Sequence, residues 1–257
     1  MLDEDSITER IARGFAQTER IRRLEAPGAA VVEIDGLSLA FAGIPEPALN
    51  SVLVDREPSD VPAVLERAKS EFARRGLRLG IDIAAGRHPS VDAGVRALGL
   101  TMIIRRPGMA AAVEDIASAP VPAGFAIEVV TGREEIAQAA EAAGEAFGDP
   151  RQIVRGFYAW SVPNVPEAAC LVAREPGGQV VGSAAAYLHE GAVGILGVGV
   201  RPVFQRRGIG SALTSAAAQV VPAADLAWLH PSDIAEPMYR TLGFETAGDW
   251  EVWIDRG

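Results

Sequence analysis

Six consecutive residues have the types and spacing of an anion-binding turn: Gln205-Arg206-Arg207-Gly208-Ile209-Gly210. An apolar run ending at Val200 precedes them and a second apolar run follows, which predicts a strand, a turn and the start of a helix. The first N–H groups of a helix lack intrahelical partners, and with the helix dipole they favour phosphate. Gly208 and Gly210 leave room for a phosphate close to the backbone, and the two arginines add positive charge.

A second element strengthens this interpretation. The turn matches the pattern Q/R-x-x-G-x-G/A, and Tyr239-Arg-Thr-Leu-Gly-Phe244 follows about thirty residues later. With these two elements, residues 125–257 resemble the GNAT family of acetyl-CoA-dependent N-acetyltransferases. The dinucleotide fingerprint and the P-loop do not fit, because the turn has neither G-x-G-x-x-G nor Gly-Lys-Ser/Thr. The alternative is an ordinary glycine-containing turn between a strand and a helix.

The resemblance implies a site for acetyl-CoA as co-substrate. In the family, the strand before the turn bulges away from its neighbour, and its backbone groups bind the pantetheine arm. Gly197 and Gly199 suit such a bulge here. Ser232 stands where the family often has an asparagine that contacts the cofactor. The implied cofactor-binding residues are Val198, Gly199, Val200, Gln205, Arg206, Arg207, Gly208, Ile209, Gly210, Ser211 and Ser232.

Two residues are candidates for proton transfer. Tyr239 matches the family's tyrosine near the leaving sulfur, where a phenol can protonate the thiolate; the alternative is a tyrosine that packs in the core. Some family members place a glutamate at the position of Gly194, but the strand at 192–200 has no ionisable side chain. His230 is therefore the candidate base, since histidine titrates near neutral pH. A water chain, or an amine that arrives neutral, is an alternative base-free route.

Composition excludes several other functions. The net charge is −10, with −3 in residues 1–120 and −7 in residues 121–257. This balance argues against nucleic acid as the main partner and is compatible with a cationic acceptor such as an amine. The single cysteine, Cys170, lies in an apolar run and is expected to be buried. Three scattered histidines have no metal-ligand spacing, so no metal site is predicted.

No membrane segment is expected, because no apolar run approaches 18 residues. The acidic start, Met1-Leu-Asp-Glu-Asp5, is unlike a signal peptide. We therefore expect a cytoplasmic protein.

Turn signals and apolar periodicity predict an α/β (α+β) fold with a mixed central sheet flanked by helices. The order strand, helix, strand, helix, strand occurs from 50 to 106 and again from 192 to 254, which indicates two GNAT-like copies in tandem. The predicted boundaries are 1–115 for a degenerate first copy, 116–124 for a linker and 125–257 for the second copy. The first copy has the acidic, glycine-free segment Val54–Asp60 where the second has its turn, so only the second copy is expected to bind acetyl-CoA.

The function predicted from these features is transfer of an acetyl group from acetyl-CoA to a primary amine of a small molecule or peptide. Because the strand lacks a carboxylate, a catalytically inactive acyl-CoA-binding protein with a regulatory or scaffolding role is the alternative. Transfer of a longer acyl group is a third hypothesis. No motif in the sequence identifies the acceptor or the oligomeric state.

Overall fold

In the computed structural model, the described residues are 4–23, 28–45, 49–148 and 165–256, and one mixed sheet of eleven strands runs through them. Helices pack on both faces of this sheet. A Cβ built on Gly199 would meet Ala143 of one helix, whereas a Cβ on Gly182, which faces the other side, would meet Leu213 of another. The predicted α/β fold with a mixed central sheet is confirmed.

The first part of the chain contains a β-hairpin and a helix with a side-chain N-cap. Its elements are α1 (Glu4–Ile21), β1 (Ala30–Ile34), β2 (Leu37–Phe41), β3 (Ser51–Val54), α2 (Val61–Arg74), β4 (Gly80–Ala84), α3 (Pro89–Ala97) and β5 (Thr101–Ala112). Gly36 turns the β1–β2 hairpin with a φ of 86°, a conformation that glycine adopts without strain. Asp60 caps α2 by accepting a hydrogen bond from the N–H of Ala63 at 3.1 Å.

The second part of the chain follows the predicted order. Its elements are β6 (Ala126–Val130), α4 (Arg133–Phe147), β7 (Ala168–Arg174), β8 (Val180–His189), β9 (Ala192–Val200), α5 (Ile209–Gln219), β10 (Leu226–Leu229), α6 (Glu236–Thr241) and β11 (Glu245–Ile254). Two elements differ in extent from the sequence-based prediction, which gives a strand at Leu100–Arg106 and a helix at Ser232–Leu242. Strand β5 continues to Ala112 because residues 109–112 pair with β10. Helix α6 begins at Glu236 and not at Ser232, because residues 232–235 form a turn in which the N–H of Ala235 donates to the carbonyl of Ser232.

The two parts exchange their last strands. The strand order is β1-β2-β3-β4-β11-β5-β10-β9-β8-β7-β6, so β11 lies between β4 and β5, and β5 lies between β11 and β10. The parts also share their pairing: β3 is parallel to β4 as β9 is to β10, and each exchanged strand is antiparallel to both neighbours. This internal repeat supports the tandem organisation, while the boundary at 116–124 stays a prediction.

Helix α1 covers the junction between the two parts. Its Ile11, Phe15 and Ala16 are buried in one apolar cluster with Trp228 of β10 and Trp250 of β11. Burying such aromatic surface contributes on the order of 2–3 kcal/mol per side chain. The helix therefore holds its last turn, which carries charged residues, against the same junction. Among the described residues, no helix is long and apolar enough to cross a membrane.

Candidate active site

The Gly-rich turn has the backbone shape that the sequence predicts. After Val200 the chain makes a 3-10 turn over Pro202–Phe204, and α5 begins at Ile209. Arg206 and Gly208 have φ values of 62° and 84°, both in the left-handed region. The Gln205 side chain donates from Nε2 to the carbonyl of Val200 at 3.0 Å, which fixes the turn against the end of β9.

The turn leaves a row of N–H donors open. The first backbone bond of α5 runs from the N–H of Ala212 to the carbonyl of Gly208 at 3.1 Å. Within the described part of the chain, the N–H groups of residues 206–211 have no backbone acceptor. These donors lie at the positive end of the α5 dipole, so the turn can bind an anionic group.

Beside the turn is a cleft of about 840 Å³, which we call the turn cleft. Ten of the eleven predicted cofactor-binding residues line it: Val198, Gly199, Val200, Gln205, Arg206, Gly208, Ile209, Gly210, Ser211 and Ser232. Arg207 is the exception. Its guanidinium lies 5.4 Å from the ring centroid of Phe204 and donates to the carbonyl of Val203 at 3.1 Å. The structure thus brings the set together except for one arginine.

Strand β9 bulges and then separates from β10, as its glycines predict. Ser183 of β8 pairs with Gly199 and Ala185 pairs with Leu196, so one residue of β8 opposes two on β9. Gly197, inside this bulge, has a φ of 62°. On the other edge, β9 pairs with β10 only as far as Gly194. Backbone groups of β9 beyond Gly194 therefore face an open gap.

A second cleft, of about 690 Å³, lies on the far side of this gap; we call it the junction cleft. Both parts of the chain line it, through α1, β3, β4, β5, α4, β9, the segment after β10 and α6. The two clefts share a set of wall residues: Phe147, Val198, Ser232, Ala235 and Tyr239. A ligand in one cleft can therefore meet a ligand in the other at the β9 gap.

Tyr239 lies where the two clefts meet. Its ring packs edge-on against Phe244, with centroids 6.0 Å apart, and the residue is 6 % exposed. Burial raises the pKa of its phenol to about 12, partly offset by the neighbouring Thr214 hydroxyl. The phenol is therefore fully protonated at neutral pH. Tyr239 both packs in the core and lines the site, so the two hypotheses for it are compatible.

His230 lines the junction cleft, away from the turn cleft. Its Nδ1 lies 3.4 Å from the carbonyl oxygen of Pro107, which can only accept, so Nδ1 carries the hydrogen. Burial and the nearby Arg106 lower the pKa of the imidazole well below its usual value. His230 is therefore a neutral ring at physiological pH, and a weak proton acceptor.

Two cleft residues were missed by the sequence analysis. Asp82 of β4 and Arg106 of β5 both line the junction cleft, and their side chains form an ion pair at 3.7 Å. Burial raises the pKa of Asp82 to about 6; Arg106 opposes the rise and Glu19 adds to it. A signal was present, because Asp82 is the one charged residue in the apolar run Leu79-Gly-Ile-Asp-Ile-Ala-Ala85.

The first part of the chain has no matching anion site at the equivalent turn. Asp60 occupies the N-terminus of α2 with its own carboxylate. The N–H and hydroxyl of Ser59 both donate to Asp35, at 2.9 and 2.5 Å. The donors of Val54–Asp60 are thus partly consumed within the protein, and its carboxylates would repel a phosphate.

The sequence also predicts a helix at 152–160, where Phe157, Tyr158 and Trp160 could either line an acceptor pocket or pack in the core, but these residues lie outside those that the structure describes. No group of three metal-ligating side chains occurs in the ranges that the structure describes. Cys170 is buried, as predicted, and burial raises its pKa to about 12, which makes the thiol unreactive.

Comparison with known proteins gives a consistent result. Residues 134–244 match the sequence profile of the acetyltransferase (GNAT) family. The structure is similar to a GCN5-related N-acetyltransferase from Kribbella flavida, with 25 % identity, a TM-score of 0.78, and coverage of 98 % of this chain and 96 % of that one. It also resembles a tandem GNAT protein from the clavulanic acid biosynthesis pathway, with 18 % identity, a TM-score of 0.61, and 92 % and 86 % coverage. No curated protein sequence matches the chain.

Proposed function

We propose that this protein transfers an acetyl group from acetyl-CoA to an amine, and the premise is that residues 134–244 match the GNAT acetyltransferase family. The observation that carries the proposal is the β9 gap, which joins the turn cleft to the junction cleft at Tyr239. Two reactants can reach one point from opposite sides there, which is what a group transfer requires.

The turn cleft fits the nucleotide and phosphates of acetyl-CoA. The open N–H groups of residues 206–211 and the Arg206 side chain supply donors and positive charge for a pyrophosphate. Gly210 leaves space that a side chain would fill, since a Cβ there would lie 3.3 Å from Met238 Sδ. Acetyl-CoA would supply the activated thioester. Backbone groups of β9 beyond Gly194 would hold its arm and polarise the acetyl carbonyl.

Tyr239 would act as the acid. Its protonated phenol at the junction of the clefts can give a proton to the sulfur as the C–S bond breaks. The acceptor would approach through the junction cleft, where its amine loses a proton. An acyl-CoA-binding protein without chemistry is the competing function, and it was suggested by the missing carboxylate on β9.

The test has two parts. Isothermal titration calorimetry with acetyl-CoA should show one site per chain, because the turn of the first part is self-capped and acidic. Release of free CoA is then measured with a panel of small amines, amino acids, aminoglycosides and peptides. Binding together with acceptor-dependent CoA release supports transfer. Binding without release by any acceptor supports the competing function, and two equal sites would refute the assignment of a single cofactor turn.

A further inference from the structure

Three polar groups in the junction cleft have no hydrogen-bond partner among the described residues. They are Asp82 Oδ1, Arg106 Nε and His230 Nε2, and each atom is buried. The Asp82 side chain is 9 % exposed. Leaving a buried polar group unpaired is costly, so three such groups in one cleft mark a place where a polar ligand completes the bonding.

Asp82 and Arg106 are positioned together by the exchanged strand. On β11, Val252 pairs with Asp82 of β4, and Trp250 pairs with Arg106 of β5. Residues paired across strands share a face, and so do alternate residues along a strand. The two side chains therefore emerge on one face, at 3.7 Å, which is too long for a hydrogen bond. Both side chains can therefore still form hydrogen bonds with a ligand.

A third carboxylate that lines this cleft, Glu19 of α1, is already paired. Glu19 of α1 accepts from Arg22 at 2.8 Å and from Arg23 at 2.6 Å. Burial would raise the pKa of Glu19, but Arg22 and Arg23 outweigh it and lower the pKa to about 2. Glu19 is thus a poor proton acceptor, and so is His230. Asp82 is the better base of the three, because its pKa of about 6 lies nearest neutral.

Resting on the proposed acetyl transfer, we propose that Asp82 and Arg106 form the acceptor subsite and select an α-amino acid. The Asp82 carboxylate accepts a hydrogen bond from the amino group and takes its proton. The Arg106 guanidinium, whose planar fork matches a carboxylate, binds the carboxyl group of the same molecule. The first part of the chain, which has no cofactor turn, would then supply the acceptor half of the active site.

The chemical step balances with these groups alone. The amine nitrogen forms a bond to the acetyl carbon, and the C–S bond of the thioester breaks. The nitrogen reacts as the neutral amine, so the extra proton of the ammonium leaves through Asp82 to water before the bond forms. The proton that the nitrogen loses in the reaction then goes to the Asp82 carboxylate, and the phenol of Tyr239 gives a proton to the departing sulfur. An N-acetyl amino acid and CoA are the products, and exchange with water restores the protonation of both side chains.

The decisive experiment compares matched acceptors. The twenty amino acids are tested beside the amines that their decarboxylation would give, with CoA release as the readout. We expect amino acids to be used at least 10-fold better in kcat/KM than their matched amines. In Arg106→Gln, KM for amino acids should rise about 10- to 100-fold, while values for the amines stay within a few-fold. Arg106→Lys keeps the positive charge but loses the planar guanidinium, so its KM for amino acids should lie between the values for wild type and Arg106→Gln.

Asp82→Asn tests the other half of the subsite. It should lower kcat/KM for both series about 100- to 10,000-fold and remove the acid-side decline of the wild-type pH profile near pH 6. Arg174→Gln and Asp249→Asn are matched controls. Each loses the same charge from a strand of the same sheet, and neither residue lines the two clefts. Thermal melts and acetyl-CoA calorimetry of every variant verify folding and cofactor binding.

The outcomes separate this subsite from the proposed function. Acetyl-CoA binding with turnover that favours the amines, or an amino-acid preference that survives Arg106→Gln, would overturn the selection of amino acids. Acetyl-CoA binding with no acetylation in either series would overturn it as well, while leaving the cofactor site in place. Absence of acetyl-CoA binding in wild-type protein would instead refute the proposed function and, with it, the subsite.

Discussion

Trp228 fills the space beside Gly194: a Cβ built on the glycine would lie 2.4 Å from the indole ring. The indole belongs to β10, the strand from which β9 separates just beyond this point. The missing carboxylate on β9 is therefore a consequence of packing, because no side chain fits there. A side chain that takes the proton of the amine has to come from another part of the chain, and Asp82 of β4 lines the junction cleft.

The first prediction concerns that contact. Gly194→Glu should not create a working base, because the new side chain collides with Trp228 and would bury a charge. We expect it to lower the free energy of unfolding by about 2–4 kcal/mol, measured by urea denaturation. Ala223→Glu, on an exposed turn, is the control and should change stability by less than about 0.5 kcal/mol. A stable and more active Gly194→Glu protein would contradict the packing argument.

The second prediction concerns the turn cleft. Gly210→Glu should remove acetyl-CoA binding with little loss of fold, because the new side chain enters the cleft and its charge repels a phosphate. The nearest atom to the added Cβ is the flexible Met238 Sδ, at 3.3 Å, so the backbone need not move. Calorimetry measures the affinity, and Ala73→Glu on the exposed side of α2 should bind like wild type. Normal affinity in folded Gly210→Glu would place the phosphate elsewhere.

Much of this site was predictable from local sequence. The turn, its glycines and the bulge in β9 depend on neighbouring residues, and backbone preferences of glycine set them. The cap of α2 at Asp60 and the hairpin turn at Asp35-Gly36 also depend on local residues. Each of these features depends on contacts within a few residues, which is why pattern alone located them.

The junction cleft was not predictable in that way. Its walls come from segments as distant as Phe15, Asp82, Arg106 and Tyr239, and they meet because β5 and β11 exchange places in the sheet. Strand pairing over such separations is not encoded by periodicity. The pattern did show Asp82 as a lone charge in an apolar strand. Its partner, Arg106, could be identified only from the structure, in which β4 and β5 lie on either side of β11.

The third prediction concerns Tyr239. Tyr239→Phe should lower turnover about 100-fold, near the lower end of general acid catalysis because water can partly substitute, while acetyl-CoA affinity changes little. The ring still packs against Phe244, so stability should be nearly unchanged. Tyr187→Phe removes the same hydroxyl from a tyrosine of β8 that lines neither cleft and should keep wild-type turnover. If Tyr239→Phe kept wild-type turnover, Tyr239 would only pack in the core and would not be the acid.

The fourth prediction concerns pH and stability. Burial, opposed by Arg106 and reinforced by Glu19, raises the pKa of Asp82 from 3.8 to about 6 in the folded protein. A carboxyl group that binds its proton more tightly when folded stabilises the protein fully below about pH 4, and this contribution is lost as pH rises to about 6. Asp82→Asn cannot titrate. Between pH 4 and pH 7, the free energy of unfolding of Asp82→Asn should therefore rise relative to that of wild type, by up to about 3 kcal/mol.

Urea denaturation of both proteins across this pH range measures the difference. Comparing the two curves removes the contributions of groups that titrate alike in both proteins. Asp249→Asn is the control: its carboxylate is 40 % exposed and pairs with Arg105 at 2.6 Å, so its loss should give no such gain. Parallel curves for wild type and Asp82→Asn would show that the Asp82 pKa is close to its unfolded value. The carboxyl would then be a weaker base for the acceptor amine, and any decline of activity measured near pH 6 would have to arise from another group.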